Sequence, residues 1–119
     1  MPDEIEFRRV LAAPFATSRS GALRDAIDIC VNGRSLSHDA EAAPFDVSDV
    51  RSGLGERWSV DGSAAVFNCT CGDVGCGGFA AEVSATANEI RWRLLWIDST
   101  LTFDRDDFIG SLRASLAET

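Results

Sequence analysis

Apolar and polar residues alternate with a period of two over several short stretches, the pattern of strands whose successive side chains point to opposite faces. Ile5, Phe7 and Val10 mark a first strand. Ala26 to Val31 marks a second, with Ile27, Ile29 and Val31 on one face and Asp28 and Cys30 on the other, and Asn32-Gly33 makes the turn that follows it. From Ser63 onward the residues Ala65, Phe67, Cys69 and Cys71 alternate with Ala64, Val66, Asn68 and Thr70. Ala81, Val83 and Ala85 follow, then a turn at Ala87-Asn88-Glu89, then Ile90, Trp92, Leu94 and Trp96 along one face of the next strand. Leu101 and Phe103 supply a last short strand. Asp104 is placed to cap a closing helix, with Asp106 and Asp107 in its first turn, where the helix dipole favours acids. Phe108, Ile109, Leu112 and Leu116 form the stripe that this helix buries. Residues 37 to 62 are rich in Ser, Asp, Gly and Glu, and read as a long surface connection with one short helical turn around Val47 to Leu54. The expected fold is α+β: an antiparallel meander with the C-terminal helix packed on one face, in a single domain spanning residues 1–119.

A protein of 119 residues buries roughly two thirds of its unfolded surface, so neither a metal nor disulfides are needed for stability alone. Charge excludes more. Eleven arginines, with no lysine, stand against 19 acids, a formal net charge of −8, and the acids are spread through the sequence. Such a field repels nucleic acid and anionic membranes, which bind through clustered Lys or Arg; an acidic surface serves solubility first, and a protein partner it could suit is a basic one. The opening residues Met1-Pro2-Asp3-Glu4 are acidic where a secretory signal is basic, and the apolar run Val10 to Phe15 is short and broken by Pro14. No signal peptide or membrane span is expected, which implies a cytoplasmic location where cysteines stay reduced.

Chemistry concentrates at residues 67 to 79, where Cys69, Cys71 and Cys76 sit among Gly72, Gly75, Gly77 and Gly78. If the flanking strands pair, the glycines allow the backbone to curl and bring Cys76 back toward Cys69 and Cys71. Three states suit such a cluster. It can hold zinc, for which a fourth ligand would come from Cys30, His38 or Asp73; it can be a packed knot of small reduced thiols; or Cys76 can pair reversibly with Cys69 or Cys71. His38, the sole histidine, lies in a polar segment, and Asn32-Gly33-Arg34 reads first as a strand-ending turn. The sequence has no phosphate loop, no H-E-x-x-H and no G-x-S-x-G, so no enzyme class is indicated.

Four segments taken together carry a resemblance: Val31 to Leu36, the run Cys69 to Cys76, Ile90-Arg91-Trp92, and Thr102 to Arg105 ahead of the closing helix. In this order they resemble a family of small bacterial proteins of unknown function with an Asn-Gly-Arg segment and a C-x-C-G-x-x-G-C turn. Gly77 departs from that pattern, in which an aromatic residue commonly follows the third cysteine. The resemblance implies the order of strands and the importance of the cysteine turn, and supplies no reaction. The function expected is therefore a cytoplasmic binding or accessory domain whose cysteine turn, through Cys69, Cys71 and Cys76, is a local structural centre able to hold zinc. Two alternatives belong to other classes: a thiol-based redox enzyme or sensor using Cys76, and an acidic immunity-like or antitoxin-like interaction protein.

Overall fold

A computed structural model describes residues 2–12, 23–67 and 79–117. The first strands, β1 (Ile5–Ala12) and β2 (Arg24–Val31), pair antiparallel in unbroken register from Ile5 opposite Val31 to Ala12 opposite Arg24. The other edge of β2 carries two short strands, β3 (Arg34–Ser35) and β4 (Phe45–Asp46). Between β2 and β3 lies a two-residue turn in which Asn32 has φ 53° and Gly33 φ 83°, the paired positive values of a type I′ hairpin. The second sheet is a four-stranded meander of β5 (Gly62–Phe67), β6 (Phe79–Ala85), β7 (Glu89–Leu94) and β8 (Ser99–Asp104). Helix α4 (Arg105–Ala117) is the closing element and packs on β1, β7 and β8.

The α+β class, the meander and the helix-covered face are those the residue pattern predicts. Asp104 caps α4 as expected, its Oδ2 accepting from the Asp107 N–H at 3.0 Å. The stripe is Phe108, Leu112 and Ser115, with Ile109 and Leu116 half-buried beside it. At the other end Arg9 donates to the Ser115 carbonyl at 3.0 Å and Arg51 donates to that of Leu116, placing cations on the negative end of the helix.

Two features depart from the sequence pattern. The strands form two sheets. Beyond its first residues β1 presents its free edge to α4, and the Phe7 N–H donates to the Ser111 hydroxyl at 3.3 Å, where a neighbouring strand would otherwise pair. The sheets are joined around Asp3, whose N–H donates to the Thr102 carbonyl at 2.6 Å and whose carboxylate accepts from the Thr102 N–H at 2.9 Å.

The second departure is the segment read as a surface connection, which enters the core, although the short helical turn expected around Val47 to Leu54 is present. It forms α1 (Leu36–Asp39), then α2 (Val47–Asp49), a π-helical turn at Val50–Leu54 and α3 (Gly55–Arg57). Val47, Val50 and Trp58 are buried, Trp58 with no exposed surface. Their spacing is helical, and the path kinks at Gly53, at φ 133°.

Trp58 lies at the middle of an aromatic core. It stacks on Phe7 at 5.7 Å and meets Trp92 edge-on at 6.3 Å, while Phe108 stands edge-on to both Phe7 and Trp92 at 5.0 and 5.5 Å. Each such pair adds roughly 0.5–1.5 kcal/mol beyond the area it buries. Both indole N–H groups find acceptors, Trp58 on the Ala65 carbonyl at 2.7 Å and Trp92 on that of Trp58 at 2.8 Å.

Candidate functional site

The expected ligands Cys69, Cys71 and Cys76, with Asp73, fall in residues 68–78 and lie outside the described residues. Their flanks are described. Strands β5 and β6 pair as far as Phe67 opposite Phe79, so the segment bearing the cysteines leaves and rejoins the sheet at adjacent positions. The two rings lie 5.0 Å apart, and Trp96 from the β7–β8 turn stands against them at 5.1 and 5.4 Å. This three-ring cluster clamps the strand ends. Just before it, the register steps from Ala65 opposite Ala80 to Phe67 opposite Phe79, which inserts Val66 as a bulge and buries both Val66 and Phe67. The simple alternation expected to run from Ala65 to Cys69 and Cys71 is thus interrupted at Val66.

A second cluster forms on the outer side of β2. The type I′ turn sets Ser35 opposite Cys30, and α1 folds back over the strand. Ser35 Oγ donates to Asp28 Oδ1 at 2.8 Å, Ser37 Oγ donates to the same oxygen at 2.9 Å, and the Cys30 thiol donates to Oδ2 at 3.6 Å. Ser37 is 4% exposed and Cys30 2%, so the carboxylate satisfies groups that water hardly reaches. Ser35 also caps α1, its hydroxyl accepting from the His38 N–H at 3.2 Å. A Ser-x-Ser pair just after an Asn-Gly turn, on the same outer side as an Asp of the preceding strand, was the available sequence signal for this cluster.

Burial, reinforced by the negative charge of Asp28 and its hydrogen bond, pushes the Cys30 thiol up to about 11. A zinc ligand is a thiolate, whereas this environment favours the protonated thiol, so Cys30 is built into the Asp28 cluster and is poorly suited as the fourth ligand. His38 is exposed on α1, and Arg34 extends into solvent 3.3 Å from Asp39. A depression of about 230 Å³ beside Cys30 is lined by Glu4, Ile5, Glu6 and Gly33. Among the described residues, no three His, Cys, Asp or Glu side chains gather to hold a metal ion.

Among the described residues, fold and clusters together define a small α+β protein: two antiparallel sheets under a C-terminal helix, with a half-buried Asp-Ser-Cys network on the outer side of β2. No protein-family model, curated protein or solved structure matches the sequence. Among the described residues, no helix is long and apolar enough to cross a membrane.

Proposed function

We propose that the protein is a cytoplasmic binding or accessory domain in which Cys69, Cys71 and Cys76 form a local structural centre that holds zinc. The observation that supports this reading is the pairing of Phe67 with Phe79. A connection whose ends are fixed side by side has already met its closure entropy, so three thiols strung along it have a high effective concentration toward one ion. The resemblance to the small bacterial family with the C-x-C-G-x-x-G-C turn belongs to the same proposal. Cys30 stays outside the ligand set, and the fourth position falls to Asp73, His38 or water.

Protein purified without chelator tests the reading by metal analysis together with a thiol count before and after a mercurial. About one zinc per molecule is expected, lost in Cys69→Ser and Cys76→Ser and kept in Cys30→Ala. Absence of stoichiometric metal, with three freely reactive thiols, overturns it. Rapid labelling of Cys76 by iodoacetamide at neutral pH in metal-free protein favours the redox alternative, because only a lowered thiolate pKa gives that rate. Metal-free protein with ordinary thiols favours the acidic interaction protein, whose complex would weaken steeply with salt.

A further inference from the structure

Asn32 stands where the two sheets meet. Its N–H donates to the Glu4 carbonyl at 2.9 Å, its Oδ1 accepts from the Glu4 N–H at 2.9 Å, and its Nδ2 donates to Asp3 Oδ1 at 3.1 Å. The other oxygen of that carboxylate accepts from the Thr102 N–H. One carboxylate therefore ties the β2–β3 turn to β8, and its attachment to the turn depends on Asn32 having an amide rather than an acid.

The residue after Asn32 is Gly33, with no side chain to shield the backbone nitrogen, and both are exposed. An added Cβ at Gly33 would meet nothing within 4 Å, so the surroundings leave the turn open. In an Asn-Gly pair the glycine amide nitrogen can attack Cγ of the asparagine. The Cγ–Nδ2 bond breaks, ammonia leaves with the proton displaced from the glycine nitrogen, and water opens the resulting succinimide to aspartate or isoaspartate. In the closed joint the amide is held from both ends and Asn32 sits in the left-handed region. Ring closure therefore needs the joint to open first.

We propose that Asn32 is a site of spontaneous deamidation, and that the product frees the β2–β3 turn from the Asp3 carboxylate that joins the sheets. An aspartate at 32 no longer donates to Asp3, and two carboxylates then face one another across a distance now spanned by a hydrogen bond. The change is one-way, since nothing restores the amide.

Asn32→Asp reproduces the aspartyl product without the wait. It should lower Tm by roughly 4 °C, the shift that follows loss of one hydrogen bond in a domain of this size, and speed hydrogen exchange at the Thr102 amide. Adding Asp3→Asn to that variant returns a donor to the pair with the acid and amide exchanged, and should restore most of both. Wild-type protein aged at pH 8 should gain about 1 Da on the peptide containing Asn32, more slowly than in urea, while the exposed Asn88, followed by Glu89, serves as the internal control. Of the aged species separated by ion exchange, the aspartyl form should melt like Asn32→Asp, and the isoaspartyl form, with an added backbone methylene, no higher. An Asn32→Asp protein with unchanged Tm and Thr102 exchange overturns the latch, as does a double variant with no recovery; a native protein that never gains the mass overturns the modification site.

Discussion

The indole of Trp92 donates to the backbone carbonyl of Trp58 across 2.8 Å, joining the meander to a segment whose composition reads as surface loop. Trp58 also ties that segment to β5 through the Ala65 carbonyl. Trp58→Ala should cost about 3–5 kcal/mol, the range for deleting a large buried aromatic. Trp92→Phe keeps most of the ring but leaves the Trp58 carbonyl without its donor in a buried place, at about 1–3 kcal/mol. Urea unfolding followed by circular dichroism measures both, and a loss below about 1 kcal/mol for Trp58→Ala would contradict the central position of this residue.

Cys30 gives a dependence on pH. Its folded pKa of about 11 lies above the ordinary thiol value of 9.0, so the folded state retains a proton that the unfolded state releases. Its contribution to stability is complete below about pH 9 and is lost as pH rises toward 11. Unfolding free energies measured at about pH 8 and about pH 10.5 should therefore fall less in Cys30→Ala than in the parent. Equal falls would mean that the thiol is not held neutral. Iodoacetamide should also leave Cys30 unlabelled in the native protein at about pH 8 and label it in urea.

Asp28 holds two hydroxyls and a thiol at once. Asp28→Ala should cost on the order of 1–2 kcal/mol, because buried Ser37 loses the carboxylate and keeps only the Ser35 hydroxyl, 3.2 Å away. Asp28→Asn keeps a carbonyl oxygen for the serines and should cost less. Denaturant midpoints of the two variants decide it, and equal costs would mean that charge outweighs hydrogen bonding at this position.

Gly55 tests the close approach of the helical turns. A Cβ there would meet Val50 Cγ1 at 3.0 Å, the Val50 carbonyl at 3.2 Å and Leu112 Cδ2 at 3.5 Å. Although alanine favours helix, Gly55→Ala should destabilise by about 1–3 kcal/mol because the core is overpacked. A thermal melt reads the sign, and stabilisation would show that Val50 and Leu112 move aside without cost.

Much of this molecule is legible in its residue pattern, because local alternation and capping act over a few neighbours. Ile27, Ile29 and Val31 announce β2 and its inward face, Asn32-Gly33 its turn, Ala81 to Leu94 the meander, and Asp104 the start of α4. The pattern also marks where thiols concentrate, at Cys69, Cys71 and Cys76, and these stay the residues on which the proposed zinc centre rests. Only the tertiary structure decided the rest. Trp58 is core because aromatic rings from β1 and β7 converge on it, in a segment whose composition is that of a surface loop. Val66 is a bulge because Phe67 and Phe79 pair directly beside it. Asp28 is a half-buried acceptor because the turn and α1 bring Ser35 and Ser37 back over its strand, and Asp3 joins two sheets because α4 takes the edge of β1. Each of these depends on which distant group arrives to satisfy a buried polar atom or fill a space, and periodicity along a sequence does not encode that.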